Sequence, residues 1–115
     1  MEISSFDQDL EFGDTIKTRL ILESSFSKEI RIVLRKGQIM KEHKTPFPII
    51  VHIIDGEINF GVNGTTYQLK KGGILALDGN VPHDLTAKAN SIVRLTLSKS
   101  DKLERVEKVA ISSSN

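Results

Sequence analysis

Hydrophobic and polar residues alternate along most of this chain, in short runs that are separated by turn residues. Ile30, Ile32 and Leu34 fall on one face of a strand. Arg31 and Val33 fall on the other, because strand side chains alternate with a two-residue period. Together with the turn residues that bound each run, this pattern assigns strands to residues 16–22, 29–35, 49–54, 57–62, 66–69, 74–77 and 91–98.

The turns between these runs favour a closed β-structure. Asn63 and Gly64 fit the two-residue hairpin turn in which both residues need positive φ. Pro46 and Pro48 place a bend at residues 45–48, because proline is excluded from the middle of a sheet. About eight strands with turns every ~8–12 residues are typical of an all-β sandwich or barrel. Closure removes the sheet edges that promote aggregation.

The pattern divides the chain into three parts. Residues 1–14 form a polar, acidic arm, residues 15–100 the barrel, and residues 101–115 an extension that ends in a frayed tail. The arm has three apolar residues that we expect to dock it on the barrel: Phe6, Leu10 and Phe12. After Asp101 the apolar residues fit one face of a short helix, and a strand that ends at Ile111 fits them nearly as well. These apolar residues are Leu103, Val106 and Val109.

Composition limits the possible functions. A length of 115 residues suits one domain, and the lack of cysteine excludes disulfides and thiolate metal sites. The formal net charge is +1, whereas a nucleic-acid-binding surface needs a basic stripe. No apolar run reaches the ~18 residues of a transmembrane helix, and the N-terminal residues lack the pattern of a signal peptide. We therefore expect a cytoplasmic protein without a nucleic-acid or membrane partner.

Two groups of residues between positions 37 and 83 resemble the motifs of small single-domain cupins. In the first motif, Gly37, His43 and Gly56 stand at the expected positions. The position of the second motif histidine holds Thr45, and that of the motif glutamate holds Ile49.

In the second motif, Gly72 and His83 match. Three further motif positions, for proline, glycine and asparagine, hold Asp78, Asn80 and Ala87. The resemblance spans about residues 30–97. It implies a double-stranded β-helix, the jelly-roll barrel of RmlC-like proteins, which hosts enzymes, sensors and storage proteins alike.

The resemblance also implies a site inside the barrel. Metal-binding cupins use three histidines and one glutamate, and only His43 and His83 remain here as metal ligands, an incomplete set. Two imidazoles bind a divalent ion such as Fe, Mn, Ni or Zn weakly. Residues expected to line the ligand pocket are His43, Thr45, Phe47, Ile49, Val51, Phe60 and His83. The alternative is that each histidine is a hydrogen-bonded, inert polar plug.

Three acidic residues are candidates for the missing carboxylate: Glu42, Asp78 and Asp84. Two histidines and one acid would make an open non-haem iron site. Strand alternation instead turns Glu42 and Asp84 away from their neighbours His43 and His83, and Asp78 lies in a loop. Solvated or turn-forming roles are therefore preferred for all three.

The other face of residues 49–54 predicts a dimer interface. If Ile49 points inward, Ile50, His52 and Ile54 point outward, where they would form an exposed apolar row unless a second subunit covers them. Small cupins commonly dimerise sheet to sheet, so the resemblance favours a homodimer. Arg94 either pairs with an acid across an interface or is a surface charge, and Tyr67 is expected in the core.

Three functions fit these observations. The first, which we prefer, is a small-molecule-binding cupin whose ligand is unknown and whose incomplete metal site performs no catalysis, so no catalytic residue is assigned. The second is a metal-dependent oxygenase or isomerase that uses His43 and His83. The third is a dimeric sensory or regulatory domain that acts through a partner protein.

Overall fold

The computed structural model describes residues 1–112, which form nine strands and one helix. The strands are β1 (Lys17–Glu23), β2 (Ser27–Leu34), β3 (Ile39–His43), β4 (Ile49–Asp55), β5 (Glu57–Val62), β6 (Thr65–Lys70), β7 (Ile74–Leu77), β8 (His83–Ala87) and β9 (Ser91–Ser98), and the helix is α1 (Leu103–Ser112). Antiparallel pairing produces a five-stranded sheet, in the order β1-β2-β9-β4-β7, and a four-stranded sheet, β3-β8-β5-β6. The predicted all-β, double-stranded β-helix fold is confirmed.

The hydrophobic core lies between the two sheets, as the two-residue period predicts. On β2, Ile30, Ile32 and Leu34 are buried in it. They share it with alternate residues of the neighbouring strands, among them Val51, Ile53, Ile58, Phe60, Leu85, Val93, Leu95 and Leu97. Burying an aliphatic side chain of this size stabilises the fold by about 1.5–3 kcal/mol. The inner faces therefore hold the two sheets together.

No bounds were predicted for strands β3 and β8. They pair with each other, and their register places His43 opposite His83. Each has only five residues, and polar side chains occupy most of its positions, so the alternation is too short to recognise in the sequence. The spacing of the histidines thus gave the only signal for this region.

Two turns depend on glycine. At Asn63 and Gly64, φ is 52° and 77°, which confirms the predicted hairpin between β5 and β6. Gly56 has a φ of 91°, and a Cβ at this position would come within 2.5 Å of the Asn90 carbonyl oxygen. The β4–β5 corner therefore excludes any side chain at this position.

The N-terminal arm lies on the outer face of the five-stranded sheet. Arg31 donates hydrogen bonds from Nη1 to the carbonyl oxygens of Phe6 (2.8 Å) and Gln8 (2.7 Å). Its Nε is buried without a hydrogen-bond partner. The three apolar arm residues are half-buried: Phe6, Leu10 and Phe12. A buried guanidinium therefore anchors the arm.

After Asp101 the chain is helical, so the helix is confirmed and the alternative strand that ends at Ile111 is wrong. Val106 and Ala110 are buried against the barrel. Of the predicted frayed tail, residues 113–115 lie outside the described residues. Within residues 1–112 no other helix forms, and ten residues are too few to span a bilayer.

Tyr67 was expected in the core, and this prediction is wrong. Its side chain is 52% exposed, although it pairs with Phe60, which is fully buried. β6 is the edge strand of the four-stranded sheet, so the opposing five-stranded sheet, which covers Phe60, does not extend over Tyr67.

Candidate functional site

A small cavity lies between the sheets, with a volume of about 30 Å³. That is room for one or two water molecules. Its wall is mostly apolar and consists of Ile32, Met40, His43, Thr45, Ile49, Val51, Phe60, His83, Leu85, Val93, Leu95, Arg105 and Val106. The cavity thus combines an aliphatic interior with a few polar groups, as small-molecule sites commonly do.

The two histidines meet because β3 and β8 are neighbours. His43 is the last residue of β3 and His83 is the first of β8. Their ring centroids are 4.4 Å apart at an interplanar angle of 62°. On its other side, the His83 ring stacks on Phe60 with centroids 5.5 Å apart. The imidazoles are therefore held by each other and by an aromatic wall.

Hydrogen bonds to the backbone fix the tautomer of both rings. His43 Nδ1 lies 2.7 Å from the Lys41 carbonyl oxygen, and His83 Nδ1 lies 2.9 Å from that of Val81. A carbonyl only accepts, so each Nδ1 carries the proton and each neutral Nε2 is an acceptor. No hydrogen bond to either Nε2 occurs within residues 1–112.

Burial keeps both rings neutral. It lowers the pKa of His43, and the hydrogen bond to the Lys41 carbonyl only partly offsets this effect. Burial lowers the pKa of His83 in the same way, with a further contribution from the charge of His43. Arg105 lowers the pKa of both histidines as well. Near neutral pH the cavity therefore presents two hydrogen-bond acceptors.

A charged cluster lies where α1 meets the barrel. Thr45 donates from Oγ1 to Asp101 Oδ2 at 2.9 Å. Arg105 donates to the same carboxylate from Nη2 (2.8 Å) and Nε (3.1 Å). Burial alone would raise the pKa of Asp101, but these bonds outweigh it and lower the pKa. The carboxylate is thus charged, buried and fully paired.

Neither Asp101 nor Arg105 was predicted as a site residue. The backbone N–H of Lys102, just before the helix, donates to Asp101 Oδ1 at 2.8 Å, and an aspartate just before an apolar helical pattern is a recognisable sign of a helix start. Nothing in the sequence places Arg105 at the cavity, because its position depends on how the helix docks.

Six of the seven residues expected to line the pocket lie along the cavity wall: His43, Thr45, Ile49, Val51, Phe60 and His83. Phe47 does not line it, so this expectation needs correction. Thr45 points inward and is 2% exposed, whereas the bend that follows leaves the Phe47 side chain half-buried outside the cavity.

None of the candidate carboxylates lines the cavity. Glu42 and Asp78 are exposed. Asp84 lies over Gly61, where the missing side chain makes room for its carboxylate. Within residues 1–112 no group of three or more histidine and acidic side chains is placed to hold a metal ion.

The fold family implies a metal at this position, and the donor set does not fit one that is tightly held. Ile49 is apolar, and the Thr45 hydroxyl already donates to Asp101. The donors that remain are the two imidazoles, whereas tight sites recruit three or four protein ligands.

The predicted interface residues lie on the opposite surface of β4. Ile50 is exposed, and His52 and Ile54 are half-buried. Arg94 pairs with Glu29 of the same chain, Nε to Oε1 at 2.9 Å. Together with the exposed Phe26 and Ile74, Ile50, His52 and this ion pair line a shallow depression of about 600 Å³.

Comparisons with known proteins agree with this architecture. A sequence profile described as "Cupin domain" matches residues 30–98, and no curated protein matches the chain. Among solved structures, an RmlC-like cupin from Desulfovibrio desulfuricans superimposes with a TM-score of 0.77 at 20% identity, covering 85% of this chain and 96% of that one.

Two further structures are similar. An RmlC-like cupin from Shewanella frigidimarina has a TM-score of 0.74 at 20% identity and covers 89% of this chain and 95% of its own. A conserved protein of unknown function from Streptococcus pyogenes has a TM-score of 0.73 at 20% identity, with coverages of 88% and 90%. These likenesses show the fold, and with the profile match they show that this chain belongs to the cupin family.

Proposed function

We propose that the chain binds a small, uncharged organic molecule in the cavity that His43 and His83 line, without catalysing a reaction. The observation that carries this proposal is the pair of neutral imidazoles whose Nδ1 atoms are bound to backbone carbonyls. Their Nε2 atoms then accept hydrogen bonds from a hydroxyl or amide N–H of the ligand. The aliphatic wall contributes by burying its apolar part.

Charge supports a neutral ligand. The cationic side chain at the cavity, Arg105, is paired with Asp101, and burial lowers the pKa of both histidines. An anion would find no uncompensated positive charge there, and burying an unpaired charge is costly.

A screen of small alcohols and amides, read by NMR shifts of the two histidine rings, tests this proposal. We expect His83→Phe to abolish the shifts that a binder causes, and His52→Ala to leave the binding unchanged because His52 lies on the outer face. Binding that survives His83→Phe would contradict the assigned site.

A second candidate is a weakly held divalent ion, which would be needed for an oxygenase or isomerase. The hydrogen bond from each Nδ1 to a carbonyl favours it, since metal-bound histidines are oriented in this way. Untagged protein titrated with Co²⁺ should show weak absorption changes, which His43→Ala and His83→Ala each remove. Stoichiometric metal that survives dialysis would instead favour the enzyme and reject the non-metal proposal.

We also propose that the protein is cytoplasmic and that two copies of it pack together through the outer face of the five-stranded sheet. Exposed Ile50, Ile74 and Phe26 beside the Glu29–Arg94 pair support this, because such an apolar patch is unusual on a monomer. Ile74→Asp should convert a dimer to a monomer in analytical ultracentrifugation. Tyr67→Asp, an equally exposed site on the other sheet, should not. A monomeric wild-type protein would contradict this.

A sensory or regulatory role remains a third candidate. It would use the same dimer, with ligand binding as the signal and a partner protein as the output. If this role is correct, we expect a partner protein to be captured by the ligand-bound protein and not by the ligand-free protein.

A further inference from the structure

The helix α1 supplies one wall of the histidine cavity. Arg105 and Val106 line the cavity from the helix, and every other lining residue belongs to the barrel. We propose that α1 is a lid, closed here, that must move before any organic molecule reaches His83. This inference rests on the proposed function only in taking the same cavity as the binding site.

The small volume of the cavity supports the lid. A volume of about 30 Å³ lies far below the roughly 300 Å³ at which ligand pockets begin. The barrel side of the wall consists of packed strands joined by ladders of hydrogen bonds, which resist displacement. Val106, by contrast, is buried on an element that is held mainly by side-chain contacts. Enlarging the cavity from the helix side is therefore the least costly route.

The helix is a suitable moving part. It has ten residues, and an isolated helix of that length is marginal in water. It packs against β1 and β3 with one face only. Val106 and Ala110 are buried, while Glu104, Glu107 and Lys108 are exposed. Opening thus exposes a small apolar face rather than the core of the barrel.

A polar latch holds the closed position. Asp101 is joined to the barrel by Thr45 Oγ1 (2.9 Å) and, through its carbonyl oxygen, by Lys28 Nζ (2.7 Å). Arg105 joins the first turn of the helix to the same carboxylate. Lys102, between them, is exposed. The helix can therefore pivot at Lys102 when the Arg105–Asp101 pair breaks.

Modification by diethyl pyrocarbonate tests the lid without requiring the natural ligand. The reagent acylates neutral imidazoles, and the chain has three histidines. His83 is 5% exposed inside the cavity and is the reporter. His52, on the outer face, is the internal reference. Because it lies in the proposed dimer contact, rates are compared only between samples of the same oligomeric state. The ratio of the two modification rates, measured by peptide mass spectrometry, follows access to the cavity.

The informative variant is Asp101→Asn. Asparagine can still accept the hydrogen bond from the Lys102 N–H but removes the charge that Arg105 pairs with, so we expect the His83 to His52 rate ratio to rise about tenfold. Glu107→Gln removes an exposed charge from the same helix and should leave the ratio unchanged. An unchanged ratio in Asp101→Asn, with the barrel intact, would overturn the proposal.

Hydrogen exchange of the wild-type protein keeps the test decisive even if Asp101→Asn destabilises the barrel. We expect the amides of α1 to exchange at least about 100-fold faster than those of β2 and β9, because local opening is cheaper than global unfolding. Equal protection of helix and strands would show that α1 opens only with the whole fold, and would overturn the lid. Neither result bears on whether alcohols or amides bind, so the two proposals fail separately.

Discussion

The cavity between the sheets and the outer face of the five-stranded sheet both bury ionisable side chains. Those in the cavity are neutral, whereas the one on the outer face is charged. In the cavity, His43 and His83 each have one backbone carbonyl as partner, and burial lowers their pKa so that they are neutral. On the outer face, Glu29 is 6% exposed and receives hydrogen bonds from Ser27, Arg94 and Thr96.

The number and charge of the partners explain this difference. Burial alone would raise the pKa of Glu29, but the three donors outweigh it and lower the pKa, so the carboxylate stays charged. A single carbonyl cannot offset the burial of an imidazolium. The outer face thus uses charge to fix its structure, and the cavity excludes charge, which leaves its acceptors available to a ligand.

The largest expected effect comes from breaking the outer network. Glu29→Ala leaves Arg94, Thr96 and Ser27 without their shared acceptor, so we expect the free energy of unfolding to fall by about 2–3 kcal/mol. Urea denaturation at pH 7 measures it. Glu23→Ala, which removes an exposed carboxylate paired with Lys99, should leave stability nearly unchanged. Equal losses in both variants would show that the buried Glu29 network stabilises the fold no more than an exposed ion pair does.

Arg31 is the next test of the outer face. Arg31→Ala removes the donor that holds the carbonyls of Phe6 and Gln8, and we expect a loss of about 1–2 kcal/mol together with faster proteolysis of the arm. Arg19→Ala removes an exposed contact with Asp9 of the arm and should change the stability and the proteolysis rate only slightly. An arm that stays protease-resistant in Arg31→Ala would show that the apolar arm residues suffice to hold it.

The two regions should also respond to acid in separate pH ranges. The histidine pKa values are lowered from about 6.5, so the unfolded chain binds protons first as the pH falls below that value, and stability declines towards the folded-state pKa. Glu29 contributes stability above 4.5 and loses it only as the pH falls towards its own lowered pKa.

Unfolding free energies measured from pH 7.5 to 3.5 test this separation. The double variant His43→Leu, His83→Leu should lose the decline in the upper range, which we expect to be smaller than the effect of Glu29→Ala, and keep the decline in the lower one. A decline near pH 6 that persists in the double variant would assign it to other groups.

Much of this architecture follows from local pattern. Alternation predicted the inward residues of β2 and the strands β5, β7 and β9, whose bounds the structure repeats, because one buried face imposes a two-residue period. The strands β3 and β8 are too short and too polar for this period to be recognised in the sequence. Only the spacing of the histidines, through the resemblance to cupins, indicated that these two segments meet.

The rest of the site could not be predicted, because it depends on contacts distant in sequence. Thr45 and Asp101 are 56 positions apart and meet only when α1 docks on the barrel. The prediction for Phe47 is wrong because a proline bend, unlike a strand, fixes no alternation of side chains. The prediction for Tyr67 is wrong because alternation within an edge strand does not show how far the facing sheet extends over it.

The smallest expected effect is in the cavity, and it separates a ligand site from an inert plug. His83→Leu replaces a neutral ring by an apolar side chain of similar size. It removes a single hydrogen bond, to the Val81 carbonyl, and keeps an apolar contact with Phe60. We expect the free energy of unfolding at pH 7 to change by no more than about 1 kcal/mol, with His52→Leu on the outer face as the matched control. A loss of 3 kcal/mol or more, about the size of the Glu29→Ala effect, would show that the imidazole is retained for stability. A small change, combined with loss of alcohol or amide binding, would mean that the ring serves the ligand, since the fold then has no need of it.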